Sequence, residues 1–408
     1  MQAAAAGVES RQETVNSQKT LWGPTISAQA VEVWGETKVD LDRSVKTPLG
    51  AMPIHINENK NFSGPRANIT GTWPLFTGGK IIAEQKAGKY ALDEARANQR
   101  QAFVDEDVKL IGQYFGLQLA IAVEKLRLED LEQQNREVNR AREFEKQGMI
   151  SSIERMGVEV ARNKSERQWL QARDNVRVAK IELGSILHDE NFGRLSTPLF
   201  IIKNPLASMK SWTEMAIANN PQIAALEAQV RQADQGSNAA RANWMPEVFA
   251  FGSYSLIRHY QTMIEPTWIA GLGLNFTLWD ARGRLGAYRS ARANLRQAKA
   301  GHADVINQVR KDAEVAWQNT RNAMERYDLT AGDVTLAKEN LQLKTRGFEE
   351  GLNTALDMTE ARAQLIEAQV ERKMYAYEFV VNYAILHAIS GKMDDFVKNV
   401  SLKDNRLE

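Results

Sequence analysis

The chain has 408 residues, a net charge of +1 from 52 Lys+Arg against 51 Asp+Glu, and no cysteine. That balance argues against a nucleic-acid binder, which carries a basic excess. The missing thiols exclude disulfides, thiolate metal sites and cysteine nucleophiles together, and fit an oxidising compartment.

No run of about 18 apolar residues occurs, so no transmembrane helix is expected. A mean hydropathy of −0.44 leaves transmembrane strands open, because only alternate residues of such strands face lipid. Met1 to Gly7 is Ala-rich but lacks the basic start and apolar core of a signal peptide. The sequence is therefore read as cytosolic, or as a mature or truncated form.

One pattern occurs twice. Leu75-Phe76-Thr77 matches Leu278-Trp279-Asp280 at a shift of 203 positions, and the same shift aligns Leu92 with Leu295, Gly148 with Gly351 and Leu183 with Leu386. Register held without a gap over so long a stretch points to an internal duplication. Trp22-Gly23-Pro24 matches Trp244-Met245-Pro246 at a shift of 222, so the first half carries 19 extra residues within 35–67. Pro48, Pro53, Pro65, Gly50 and Gly64 give that segment the composition of a loop. Projecting Asn220-Pro221 back by 222 falls before Met1, which favours truncation, with a short helix and an export signal expected upstream.

In chain order, each half reads helix, strand, loop, strand, very long helix, turn, helix. Strands are expected at 25–34 and 68–76, where Ile69, Gly71, Trp73 and Leu75 alternate. A helix of about 67 residues follows from 80 to 146, about 100 Å at 1.5 Å per residue. Its Val104, Val108, Ile111, Phe115, Leu119, Ala122 and Leu126 have coiled-coil spacing, and Leu110, Tyr114, Leu117 and Ile121 form a second stripe beside it. Two seams imply neighbours on both sides, as in a closed ring of helices. Gly148 breaks this helix, and a return helix spans 152–187.

Residues 189–218 read as a linker with a short helix near 208–219. In the second half, Asn220-Pro221 opens an Ala-rich helix that Pro246 ends. Strands are expected at 247–257 and 268–279, and helices at 284–347 and 354–390, with Gly351 at the turn between them. The division is thus a first repeat at 1–188, a linker at 189–218, a second repeat at 219–391 and a tail at 392–408. Both hairpin tips are expected at the end away from the strands.

Six of the nine Trp lie in or beside the strands: Trp22, Trp34, Trp73, Trp244, Trp268 and Trp279. Such clustering suits an interfacial aromatic girdle. A small soluble sheet with Trp as core filler is the alternative, but four strands cannot close a barrel alone.

These residues resemble the TolC-like outer membrane factor family. The likeness rests on Asn220-Pro221-Gln222, Trp244-Met245-Pro246, Leu278-Trp279-Asp280-Ala281-Arg282-Gly283, Leu75-Phe76-Thr77-Gly78-Gly79, and Phe348 to Ala361 with its Leu356-Asp357-Met358-Thr359-Glu360-Ala361 ending. It implies a mainly α fold with a small β part. In it a long-helix α-barrel continues into a 12-strand transmembrane β-barrel, formed by a homotrimer with four strands per protomer. It also implies an outer-membrane location extending into the periplasm. Its partners would be outer-membrane lipid, a periplasmic adaptor (membrane fusion) protein and an inner-membrane transporter, and no cofactor is implied. The function would be the passive, gated exit duct of a tripartite efflux or type I secretion system. A soluble coiled-coil scaffold is the alternative, and an enzyme is not expected.

Asp357 and Glu360 match the family's pair of tip carboxylates, with Glu in place of the second Asp, and Glu154 is the equivalent of Asp357 in the first repeat. In a trimer they imply acidic rings at the tunnel mouth, which select cations. The competing reading is of acids in a first helical turn, favoured there by the macrodipole. Gly148 and Gly351 are expected to form the tip turns and, with Phe348 and Asn353, to meet the adaptor. Relatives hold the closed state through an Arg and a Tyr of the second tip. Asn353 and Phe348 occupy those positions here, so that latch is absent or rebuilt around Lys344 or Arg346. Gly78-Gly79 and Gly283 are expected to ease the strand-to-helix turns. The five His (His55, His188, His259, His302, His387) have no metal-ligand spacing.

Overall fold

The computed structural model describes residues 2–47, 50–189, 191–202, 206–258 and 266–401. His259, Pro48 and the tail beyond Ser401 lie outside them. In chain order the elements are α1 (Gln2–Lys19), β1 (Thr25–Thr47), β2 (Gly50–Phe76), α2 (Lys80–Lys146), α3 (Ser152–Leu187), α4 (Met209–Asn219), α5 (Pro221–Ala242), β3 (Glu247–Arg258), β4 (Trp268–Asn275), α6 (Gly283–Glu349), α7 (Ala355–Ile389) and α8 (Met393–Ser401). No described helix is long and apolar enough to cross a membrane.

The duplication is visible in the elements. α2 and α6 each have 67 residues, with both ends displaced by 203 positions. α1 precedes β1 as α5 precedes β3. Spatially the chain forms two compact units that cut across the repeats, so each holds parts of both halves. One is Met1–Ala4, Arg96–Leu226 and Gly301–Glu408; the other is Ala5–Ala95 and Glu227–Ala300.

The second unit holds an antiparallel meander in the order β1-β2-β3-β4. Here the sequence-based bounds need correction. Residues 35–67, read as a loop, extend both strands of the first hairpin, and β1 pairs with β2 without interruption from Thr25↔Thr72 to Thr47↔Gly50. Pro53 and Pro65 are tolerated because, among the described residues, β3 pairs with β2 only from Arg66 onward, so the other edge of β2 has no described partner at either proline. Conversely, β4 ends at Asn275 rather than at 279, because its partner β3 begins opposite, at Glu247.

The strand-to-helix turns differ between repeats. Gly78 and Gly79 take positive φ (61° and 91°), whereas Ala281 (48°) and Arg282 (80°) do so in the second repeat. Gly283 is instead the first residue of α6. A side-chain oxygen starts each long helix: Thr77 accepts from Ile81 N–H at 3.4 Å, and Asp280 accepts from Arg284 N–H at 2.8 Å.

The first unit has its main core where α7, α2 and α6 meet the linker and α8. Phe200, Phe379, Phe115 and Phe396 are buried there, with Phe200 edge-on to Phe379 at 6.2 Å. The polar residues that interrupt the apolar run of α7 are satisfied. Tyr383 receives a hydrogen bond from Asn399 at 2.7 Å, and His387 Nδ1 pairs with the Tyr383 carbonyl at 2.9 Å. Desolvation holds the Tyr383 phenol up at about 12 and pushes the His387 imidazole down.

Candidate functional site

The two hairpin tips lie in the first unit and are built alike. Gly148 and Gly351 sit at φ 72° and 74°, where a side chain would be strained. Each follows a long helix and closes a Schellman-type turn: Met149 N–H donates to the Phe144 carbonyl at 2.9 Å, and Leu352 N–H donates to the Gly347 carbonyl at 2.7 Å. A capping box then starts each return helix. Ser151 N–H donates to Glu154 at 2.9 Å while Glu154 N–H donates to Ser151 Oγ at 3.2 Å. Thr354 and Asp357 repeat this arrangement at 2.9 and 3.2 Å.

The three acids expected at the mouth therefore differ in state. Glu154 and Asp357 are N3 residues of capping boxes. The Thr354 hydroxyl and backbone N–H, together with the Lys344 ammonium, hold the Asp357 carboxyl below the usual carboxylate range. Glu360 is exposed and forms no ion pair or hydrogen bond among the described residues. Lys344 Nζ lies 3.4 Å from both the Asn353 amide oxygen and Asp357 Oδ1, so Asn353 is tied within its own hairpin. Arg346 is exposed. Phe348, expected as an adaptor contact, is only 8 % exposed and packs with Val138, Ala141, Val158, Ala355 and Met358. Its ring lies 5.9 Å from that of Phe144 on the first hairpin. In place of a tyrosine hydroxyl, the tips share an apolar contact.

Sequence reasoning missed what fastens the hairpins behind the tips. Arg140 pairs with Glu349 at 3.5 Å, Arg362 with Glu137 at 3.9 Å and Arg127 with Glu367 at 3.0 Å. Around the middle pair, Asp130, Gln134 and Glu137 are buried. Ser165 Oγ donates to Asp130 Oδ2 at 2.5 Å. Asp130 Oδ1, Gln134 Oε1, Glu137 Oε2 and Arg362 Nε are buried without a hydrogen-bond partner, although Arg140 lies 3.7 Å from Glu137 Oε2. Burial pushes the Arg362 guanidinium down, opposed by Glu137 and Asp130. The signal was present in the stripe of α2: after Leu126 the same spacing reaches Asp130, Gln134, Glu137 and Ala141, where the apolar seam turns polar.

The second unit presents an apolar face. Register places Ile26, Ala28, Ala30 and Trp34 of β1 on one side of the sheet, with Ile69 and Trp73 of β2, Ala250 and Tyr254 of β3, and Trp268, Leu272 and Leu274 of β4. Trp34, Trp73, Trp268, Tyr254, Leu272 and Leu274 are all exposed. The opposite face is polar on the first two strands, with Thr25, Gln29, Asn68 and Thr72 and a Ser27–Thr70 hydroxyl pair at 2.8 Å, whereas β3 and β4 place Phe249, Phe251 and Ile269 there. Along β1 and β2 this is the two-sided pattern of an outer-membrane strand. Trp22 is half-buried and its carbonyl accepts from Trp73 Nε1 at 2.7 Å, while Trp244 is exposed and lies edge-on to Tyr288 at 5.4 Å. Trp279 lies beyond β4 and is exposed.

A model of the family described as outer membrane efflux protein matches residues 1–187 and 212–392. The chain belongs to the outer membrane efflux protein family. Among similar proteins, the alkaline protease secretion protein AprF of Pseudomonas aeruginosa is 23% identical over 354 residues, covering 83% of this chain and 72% of AprF. The outer-membrane channel OprN matches with a TM-score of 0.78 at 16% identity, over 96% of this chain and 86% of OprN. The outer membrane protein VceC of Vibrio cholerae matches with a TM-score of 0.76 at 16% identity, over 96% of this chain and 92% of VceC. As an outer membrane efflux protein the chain is an exit duct of the outer membrane, and members of the family are channels.

Proposed function

We propose that three copies assemble into one gated duct, their sheets closing a 12-strand barrel and their long helices a periplasmic tunnel. The observation that carries this is the sheet: one face apolar and exposed, the other polar along β1 and β2, with outer edges on β1 and β4 that have no partner among the described residues. A membrane tolerates strands only when every edge is paired, and four strands cannot close on themselves. Along β1, the level of Trp73 lies about ten residues below Trp34. That is about 33 Å of strand at ~3.3 Å per residue, or about 25 Å of height at barrel tilt, the height of an outer-membrane apolar band.

The helices supply matching support. Leu329, Leu336 and Leu343 of α6 recur every seven residues and are 73, 66 and 65 % exposed in the single chain. α3 leaves Ile153, Val160, Val178 and Ile181 exposed. Such a stripe is a coiled-coil seam awaiting a neighbouring helix. The duct would be a passive conduit, served at its tips by a periplasmic adaptor and an inner-membrane transporter. The likeness to AprF favours a polypeptide cargo.

Opening would separate the second hairpin from the first, releasing Arg140–Glu349, Glu137–Arg362 and Arg127–Glu367. Glu360, free of partners, would supply the acidic ring. Membrane fractionation and light scattering of the detergent-solubilised protein test the assembly: a particle of three chains from the outer membrane is expected. A water-soluble monomer would end the reading. Changing Leu329, Leu336 and Leu343 to Ser should shift the particle toward single chains.

A further inference from the structure

The first hairpin changes character along its length. Beyond Arg66 it leaves the sheet, and among the described residues β1 and β2 continue as a two-stranded ribbon to Thr47↔Gly50. Alternation holds, but the chemistry reverses. The side that carries Ile26, Trp34 and Ile69 lower down carries Asp40, Asp42 and Ser44 near the end, opposite Asn57, His55 and Pro53. Here His55 Nδ1 and Asp42 Oδ1 lie 2.5 Å apart. The side that carries Ser27, Gln29, Asn68 and Thr70 in the sheet instead carries Met52, Ile54 and Ile56, with Arg43 opposite Ile54. Met52 is 66 % exposed, and Ile54 and Ile56 are each 45 % exposed.

A two-stranded ribbon is marginal in water, and an exposed apolar strand face invites pairing. We infer that the apolar ends of this hairpin from the three copies pack against one another and close the outer end of the duct. This rests on the trimeric barrel proposed above. In that barrel the lipid lies on the Trp34 side, so lipid cannot cover Met52, Ile54 and Ile56. The opposite side faces the central axis, and rotational symmetry brings the same face of each copy there. The ribbon is long enough. From Trp34 to Thr47 it spans about 43 Å at ~3.3 Å per residue, against a radius of ~12 Å for twelve strands ~4.8 Å apart at ~40° tilt. The acidic and amide-rich side is left facing water.

Because the chain has no cysteine, a single introduced thiol is unique. The full-length protein carrying Ile54→Cys is oxidised mildly in detergent, with Asn57→Cys, on the other side of the ribbon, as the control. Ile54→Cys should give a linked pair of chains on non-reducing gels at several times the yield of the control. Its single-channel conductance in planar bilayers should fall on oxidation and recover with a reductant. Met52→Cys repeats the test should Ile54→Cys assemble poorly. A three-chain particle in which neither site links, or both link equally, overturns the inference and leaves the trimer standing. Quenching of a bimane label at Ile54→Cys by brominated phospholipid would assign the face to lipid and overturn it as well. A particle that is not three chains would instead remove the assembly itself.

Discussion

At the scale of single residues, the site is governed by backbone needs. Thr354 satisfies an orphan helix N–H through its hydroxyl, and replacing such a cap by Ala costs about 1 kcal/mol. Thr354→Ala should lower the urea midpoint accordingly, and Ser151→Ala should do the same at the first tip. Gly78 is more demanding. It has φ 61°, and a Cβ there would collide with Met245 and the Ala242 carbonyl. Gly78→Ala should destabilise the protein by more than ~1 kcal/mol, a loss that denaturant titration would register. His387 sets a pH window. Its folded pKa lies below the ordinary value because it is desolvated among Trp212, Tyr383 and Phe396. Its contribution is complete above about pH 6.5, the unperturbed value, and is lost as pH falls below that. The thermal midpoint should therefore drop between pH 7.5 and 5.5, and His387→Leu should flatten that dependence. Asp357, with its pKa held low, acts in a separate and more acidic window. It stabilises above about pH 4 and its contribution fades below.

At the scale of elements, the polar seam on α2 is an unusual use of a coiled-coil stripe. Buried ion pairs seldom add net stability, yet removing one partner strands the other. Glu137→Ala should therefore cost about 3 kcal/mol by leaving Arg362 buried without its carboxylate. Replacing Glu137 and Arg362 together by Leu and Met should restore much of that loss. If the seam also holds the hairpins closed, the double variant should show fewer openings in planar-bilayer recordings, since an apolar seam separates less readily. The seam was legible in the spacing of Asp130, Gln134 and Glu137, but its partner was not. Arg362 lies more than two hundred residues away in sequence, and only packing of α7 on α2 brings them together. The long hairpin was misread for a related reason. Proline and glycine in 35–67 argue for a loop locally, and only the edge of β2, which has no described partner before Arg66, shows why Pro53 and Pro65 fit a strand.

At the scale of the whole molecule, exposed apolar surface is the common theme. It recurs on the sheet face, on the α6 stripe and on α3. Each patch has the periodicity of the element that carries it, which marks it as a contact surface rather than a defect. In the duct proposed above, these surfaces would be covered in different ways, with lipid on the sheet and copies of the chain on the helices. At the mouth, Glu360→Gln should weaken block by multivalent cations in bilayer recordings. Glu360 is the cleaner test, because Asp357→Asn would also disturb a cap. Unchanged block by Glu360→Gln would remove that carboxylate from the pore.

The sequence alone determined the duplication, the order of elements within each repeat, the span of α2 and the place of the tip turns. Each of these follows from local periodicity and from where glycine or proline interrupts it. By contrast α6, expected at 284–347, runs Gly283–Glu349, and the tail expected from 392 holds α8. The tertiary structure decided which acids are caps and which is free, that Phe348 belongs to a core, and that the first hairpin reverses its apolar side beyond the sheet. Those facts depend on neighbours distant in the chain, and the hydrogen-bond partner or packing surface of a residue cannot be read from its own surroundings in sequence.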